Sequence, residues 1–363
     1  MRQELVPSFV RRHQMLDNRQ RTPSRGGYLK IFIVRIQLVH KFEEIISVEN
    51  LLEAWREFLR GKRGKRDVQE FQLRLMNNIL ALHTDLASGT YRHGGYLAFK
   101  INDPKPRDIH KATVRDRLLH HAIYRKLYPF FDRTFVADLF FCRNNKGTHA
   151  ALNRFRSLVY AVSQNHTRTC WVLKCDIRKF FASIDQEILL AILRERIPDD
   201  DLVRLLKEII ESFSSTLPGI GLPLGNLTSQ LFVNVYMNEF DQFAKHKLKA
   251  RYYIRYADDF VVLSENRRWL DAILPEIAFF LERRLRINLH PEKVFIKTLA
   301  SGVDFLGWVH FPNHRVLRTT TRRRMILRLK EGRPESRASY RGLLLHGNAR
   351  KIEREILDGL PYN

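Results

Sequence analysis

The run Tyr252-Tyr-Ile-Arg-Tyr-Ala-Asp-Asp-Phe-Val-Val-Leu263 constrains the fold more than any other stretch of the chain. Aromatic and β-branched residues favour extended, half-buried backbone. Two such runs, Arg251 to Tyr256 and Phe260 to Leu263, flank Ala257-Asp258-Asp259, which predicts a β-hairpin with an acidic tip. An isolated Asp-Asp pair reads as an ordinary polar turn. Held between buried strands, the same pair has the rigid mount that metal ligands need. A second compact apolar strand, Trp171 to Cys175, ends on Asp176. If hairpin and strand are neighbours in one sheet, three carboxylates converge, and like charges that close need cations to neutralise them. Hard oxygen ligands suit magnesium. Two such ions can activate a 3′-hydroxyl and stabilise a leaving pyrophosphate.

Around these strands, apolar residues recur at helical spacing over Val48 to Leu59 and Val68 to Leu86, separated by the basic Gly61-Lys-Arg-Gly-Lys-Arg66 turn. Tyr96 to Ile109 reads as strand, turn and strand, with Pro104 and Pro106 in the turn, and Val114 to Phe131 as a long helix. Helices are expected over Gln186 to Arg196, Leu202 to Phe213, Thr228 to about Leu248, and 267–285. Leu217 to Gly225 forms a Gly/Pro-rich loop. Strands are expected near 293–297 and 303–310, and the segment from Thr319 onward reads as helical and basic. This order predicts an α+β fold whose sheet is covered by helices on one face. Residues 1–40 are Arg-rich and irregular and read as an extension outside the main fold.

Charge narrows the function. Lys and Arg number 63 against 39 Asp and Glu, a formal +24, more than solubility requires, and this favours a polyanionic partner. No long uncharged apolar stretch supports a membrane span, since the Tyr28 to Val39 run is short and broken by Lys30 and Arg35. Cys142, Cys170 and Cys175 lack Cys-x-x-Cys spacing, which argues against a disulfide framework or structural zinc and fits a reducing cytoplasm. His120, His121 and His149 have no partner spacing for a metal and read as packed or solvated side chains.

Tyr256-Ala257-Asp258-Asp259 resembles the Y-x-D-D box of reverse transcriptases, and Lys174-Cys-Asp-Ile-Arg-Lys-Phe-Phe-Ala-Ser-Ile-Asp185 resembles their first carboxylate motif. Further blocks match bacterial and group II intron-like enzymes in order: Pro104-Lys-Pro-Arg-Asp108, Arg115-Asp-Arg117, Cys142-Arg-Asn-Asn-Lys-Gly-Thr-His149, Leu224-Gly-Asn-Leu-Thr-Ser-Gln230, His290-Pro-Glu-Lys293 and Phe305-Leu-Gly307. The resemblance runs from about residue 42 to 310. It implies a right-hand polymerase: fingers and N-terminal helices over 41–165, palm over 166–310, and a short basic helical thumb over 311–363. It implies RNA-directed DNA synthesis with two Mg²⁺ ions and dNTP substrates. The implied catalytic residues are Asp176, Asp258 and Asp259, with Ile177 joining them in the metal set. Phe181 falls where the family excludes a 2′-hydroxyl, and Lys105, Arg107, Gly225, Gln230 and Lys293 fall at nucleotide-binding positions, with Lys297 a competitor for the last. Arg143 and Lys146 match finger contacts to template or nucleotide.

The loop before the long helix departs from the Gln-Gly-x-x-x-Ser-Pro common in group II-like enzymes. Leu224 stands for Gln and Gln230 for Pro, a variant that resembles the reverse transcriptases of diversity-generating retroelements. That resemblance implies error-prone copying at template adenines of a structured noncoding RNA into cDNA. It also implies a small basic accessory protein that oligomerises with the enzyme, and a bacterial or phage-encoded, cytoplasmic setting. A defence-associated bacterial reverse transcriptase is the alternative. A catalytically silent RNA-binding scaffold on the same fold is a third reading, opposed by the intact acidic trio and Phe181.

Overall fold

The computed structural model describes residues 36–102, 106–330 and 334–348, all within the unit spanning Ile36–Asn363. Residues 1–35, including most of the basic extension, lie outside the described residues, as do Pro104 and Lys105.

The described residues open with helices α1 (Phe42–Ile46), α2 (Val48–Phe58), α3 (Arg66–Leu73) and α4 (Leu75–Ala87). Ser47 caps α2 by accepting the Asn50 N–H. The single helix expected over Val68 to Leu86 is two, because Arg74 leaves helical geometry at φ −122°, ψ 40°. The break is stabilised by the Asn78 amide, which donates to the freed Phe71 carbonyl at 2.9 Å. Strands β1 (Tyr96–Asn102) and β2 (Pro106–Ala112) form the expected hairpin. Pro106 begins its strand, a position where a missing N–H does least harm. Helix α5 (Val114–Asp132) follows, capped by Thr113, and packs against α2. Helix α6 (Thr148–Val162) was not among the sequence expectations.

The central elements are β3 (Trp171–Cys175), α7 (Gln186–Arg194), α8 (Asp200–Glu211), α9 (Leu227–His246), β4 (Tyr253–Tyr256), β5 (Asp259–Ser264), α10 (Arg267–Leu285) and β6 (Phe295–Thr298). Asp185, Asp199 and Asn266 cap α7, α8 and α10 with their side chains. The expected strand over 303–310 is a tight hairpin of β7 (Val303–Phe305) and β8 (Trp308–His310). Leu306 and Gly307 turn it with φ of 50° and 84°, the primed geometry that two-residue hairpins require. Strand β9 (Arg315–Leu317) completes this small sheet, and helices α11 (Thr319–Lys330) and α12 (Pro334–Leu344) follow.

The main sheet has the order β4-β5-β3-β6 and is antiparallel throughout. The expectation of helices on one face needs correction, because both faces are buried. Leu173, Cys175, Phe260 and Val262 face a core shared with α9 and α10. The alternate residues Val172, Ile254, Val261 and Leu263 face a second core with Phe155 of α6 and with Phe305 and Trp308 of the small sheet. Strand β5 shows why: its Phe-Val-Val-Leu run is apolar on both faces, so neither can meet water. Among the described residues no helix is long and apolar enough to cross a membrane.

Candidate active site

Register brings the acidic residues together. Cys175 pairs with Phe260, and Tyr256 with Asp259, so Asp176 leaves β3 beside the Ala257-Asp258 turn that joins β4 to β5. Ala257 takes the left-handed conformation at φ +57°, which costs a residue with a Cβ about 1–2 kcal/mol. Its carbonyl accepts a bond from Arg255 Nη1 at 2.9 Å. The same guanidinium grips Asp241 of α9 through Nε at 2.7 Å and Nη2 at 2.6 Å, and Tyr253 Oη donates to that carboxylate at 2.5 Å. Both members of the pair have 0% side-chain exposure. Strand alternation turns Tyr253 and Arg255 toward α9, so the acidic tip is tied to a helix beneath it.

Burial, and next the charge of Asp176, raise the proton affinity of Asp258, while Lys293 and Arg107 oppose the rise. Asp259 is pushed up to about 7, by burial first. Lys174 pulls the other way across a 3.3 Å ion pair, and Asp258 adds to the rise. Lys293 Nζ donates to Asp176 Oδ1 at 2.7 Å. Among the described residues no three His, Cys, Asp or Glu side chains are gathered into a metal-ligand set; the two lysines hold two of the carboxylates instead. The donor chemistry still fits a hard cation. Asp258 resists ionisation beside Asp176, and among the described residues the buried Asp259 Oδ1 has no hydrogen-bond partner.

The family model for reverse transcriptase (RNA-dependent DNA polymerase) matches residues 100–310, more than half of the chain. This chain belongs to the reverse transcriptase family. Protein YkfC of Escherichia coli (strain K12) is 26% identical, over 69% of this chain and 74% of that protein. The group II intron-encoded protein LtrA of Lactococcus lactis subsp. cremoris is 21% identical, over 59% of this chain and 45% of its own length. The putative COX1/OXI3 intron 2 protein of Saccharomyces cerevisiae is 20% identical, over 59% of this chain and 30% of that protein. The chain thus spans most of YkfC and less than half of the two intron proteins.

In this reverse transcriptase the other expected site residues are scattered more widely than the acidic trio. Arg107, exposed on β2, is close enough to Asp258 to influence it, whereas Lys105 lies outside the described residues. Ile177 is buried and bridges to Leu289. Phe181 lies in the short turn Phe180–Ser183, half-buried, with its carbonyl accepting the Leu222 N–H at 2.8 Å. Gly225 is exposed at φ +112°, and a Cβ there would meet Ile109 Cγ2 at 2.9 Å. The flanking residues tie the loop to β2: His110 donates its N–H to the Leu224 carbonyl at 3.0 Å and accepts from the Asn226 amide at 2.9 Å. Gln230 is half-buried on the first turns of α9.

Arg143 bonds Asp132 at 2.6 Å and the Val136 carbonyl at 2.9 Å, and its side chain is only 9% exposed. Little of its fork is left for a template. Lys146 donates to the Ala137 carbonyl and lies over the Phe140 ring. Sequence reasoning missed Asp241, Arg255, Lys174 and His110. One signal was present: Arg255 interrupts an otherwise apolar strand, and a buried Arg demands a partner.

Proposed function

We propose that this protein is an RNA-directed DNA polymerase that copies a structured noncoding RNA into cDNA, and that it does so with errors concentrated at template adenines, as in diversity-generating retroelements. The observation that carries the polymerase reading is the meeting of Asp176 with the Asp258-Asp259 tip at adjoining strand ends. Asp176 and Asp258 would hold the two Mg²⁺ ions, with Ile177 beside them and Asp259 completing the negative charge. Bound magnesium supplies activation of the primer 3′-hydroxyl and charge neutralisation at the leaving pyrophosphate.

The chain's own residues do the rest. Arg255 and Asp241 hold the tip in position. Lys293, which bonds Asp176, would serve the leaving pyrophosphate, and Lys105 and Arg107 would offer cations to the triphosphate. Phe181 limits space at the sugar 2′ position. Fingers over 41–165, palm over 166–310 and a short thumb over 311–363 complete the proposed hand, and a small basic accessory protein is its proposed companion.

The mutagenic reading rests on Leu224 and Gln230. In the family this chain resembles, the loop lies against the nascent pair, where the Leu224 side chain could neither donate nor accept, and hydrogen-bonded discrimination exceeds apolar discrimination by far. Gln230 leaves the start of α9 without the stiffening a proline gives. The test is primer extension on one defined RNA with Mg²⁺ and dNTPs, followed by sequencing of the cDNA. Excess error opposite adenine, reduced by Leu224→Gln with Gln230→Pro, is the expected result. Equal error at all four template bases removes the diversity-generating reading and favours the defence-associated one; no cDNA at all removes the polymerase reading.

A further inference from the structure

A cavity of about 390 Å³ opens between α6, the turn after β8, and the residues that follow α12. It is remote from the carboxylates. Leu299 on its wall bonds the Cys170 carbonyl, and Thr298 pairs with Trp171, which places the cavity at the start of β3. Asp176 follows the other end of that five-residue strand, roughly 17 Å away at strand rise.

The lining is cationic and aromatic. Arg156 and Arg315 both line it, and its described lining residues include no Asp or Glu. Arg315 stacks over Trp308, with ring centre and guanidinium 5.6 Å apart, and gives its Nε–H to the His346 carbonyl. Among the described residues its Nη1 is buried without a partner. Burial, and then the Arg156 charge, disfavour the ionised form of Arg315.

His310 is 4% exposed, with its ring 4.6 Å from that of Phe155. Burial pushes it down to about 4, while a bond to the Phe305 carbonyl works in the opposite direction. Among the described residues His310 Nε2 is buried without a hydrogen-bond partner, and as the unprotonated nitrogen of a neutral ring it would be an acceptor. At the rim Phe311 and His314 stack in near-parallel fashion, 4.8 Å and 12° apart. Two arginines, a buried histidine and a stacked aromatic pair thus line one cavity.

We propose that this cavity is a second RNA-binding site: Arg156 and Arg315 take a backbone phosphate, His310 Nε2 accepts from the neighbouring 2′-hydroxyl, and the Phe311–His314 pair stacks a base. Guanidinium forks match phosphate geometry. A neutral imidazole acceptor beside them selects a ligand that carries a hydroxyl donor next to its phosphate, and the 2′-hydroxyl is what distinguishes RNA from DNA. The site rests on the reading of RNA as this protein's partner. It would anchor a part of that RNA outside the region being copied.

The experiment uses the full chain with an annealed primer–template saturating the catalytic cleft. The probe is a short single-stranded RNA carrying 4-thiouridine, with the DNA of the same sequence carrying 4-thiothymidine as comparison, and crosslinks are mapped by mass spectrometry. Crosslinks at 310–315 are expected from RNA and at least tenfold fewer from DNA. Arg156→Glu, at an exposed position, should cut them about tenfold, the scale of one lost charge-assisted contact, while extension of the primer is unchanged. His310→Phe, seated among Phe155 and Phe305, should bring the RNA and DNA yields together. Crosslinks confined to the cleft, equal yields from RNA and DNA in the parent, or indifference to Arg156→Glu would overturn the proposal. Full competition by millimolar inorganic phosphate would overturn it in favour of a small-anion site. Crosslinking at 310–315 by a chain that extends no primer refutes the polymerase reading alone.

Discussion

Replacing Asp241 should separate the stability of this molecule from its activity. Asp241→Ala strips Arg255 of two bonds at 2.7 and 2.6 Å at a site with no exposure. Stranding one partner of a buried ion pair costs about 3–5 kcal/mol. Tyr253 Oη also loses its 2.5 Å acceptor, a further ~1–3 kcal/mol that overlaps the first. A loss of that size is a large part of the roughly 5–15 kcal/mol that holds a typical domain folded. The single variant should therefore unfold at a much lower urea concentration.

The double variant Asp241→Leu with Arg255→Met removes both charges together, and because apolar replacement of a whole buried pair is often neutral in stability, it should keep only the smaller loss from the Tyr253 Oη acceptor. It cannot restore the 2.9 Å bond from Arg255 to the Ala257 carbonyl. Loss of that hold on a left-handed turn, worth about 1–2 kcal/mol, should lower primer extension on the order of tenfold. Urea unfolding followed by fluorescence and single-nucleotide extension on the same preparations give both numbers. If Asp241→Ala unfolds at the parent's midpoint, the pair is not structural; if the double variant folds and extends at the parent's rate, it does not position Asp258.

Asp176→Asn and Asp258→Asn should each reduce DNA synthesis on the order of a thousandfold or more while RNA binding in a filter assay is preserved, because each removes a charged ligand at little change in volume. Phe181→Ala should admit ribonucleotides, read as the ratio of rNTP to dNTP incorporation; an unchanged ratio makes Phe181 a packing residue only. Affinity for single-stranded RNA should fall steeply with salt, the logarithm of the binding constant dropping by about 0.7 per phosphate neutralised for each tenfold rise in salt. A flat salt response would show that the +24 charge is not used on the backbone.

The acidic tip was legible because its signal is local: β-formers on both sides of Ala257-Asp258-Asp259 leave few alternatives, and strand β3 ends where its apolar run ends. The two-faced burial of the sheet was less legible. Apolar residues on both faces of β5 point to it, but which elements cover the second face depends on α6 and on β7–β9, whose contacts are distant in sequence. The break at Arg74 was invisible, because helical spacing of apolar residues persists across it and the Asn78 bond that stabilises it is a matter of geometry. Asp241 was hidden for a similar reason: it lies on a helix that is buried on nearly every side, where no amphipathic stripe marks an inward-facing charge.

Gly225 shows how the loop and the β1–β2 hairpin depend on each other. Two constraints act on it at once, a φ of +112° that L side chains rarely adopt and the 2.9 Å approach that a Cβ would make to Ile109 Cγ2. The His110 bonds to Leu224 and Asn226 prevent the loop from rotating away to relieve either one. Gly225→Ala should therefore cost about 1–3 kcal/mol of local strain, displacing the loop from β2 and lowering extension with little change in global unfolding. Ile109→Ala in the same chain removes the steric term but leaves the backbone term, so the pair should recover activity only in part. Full recovery would mean that contact with Ile109 alone makes glycine necessary, and the φ argument would then be wrong. No recovery, with Ile109→Ala harmless alone, would assign the requirement wholly to the backbone.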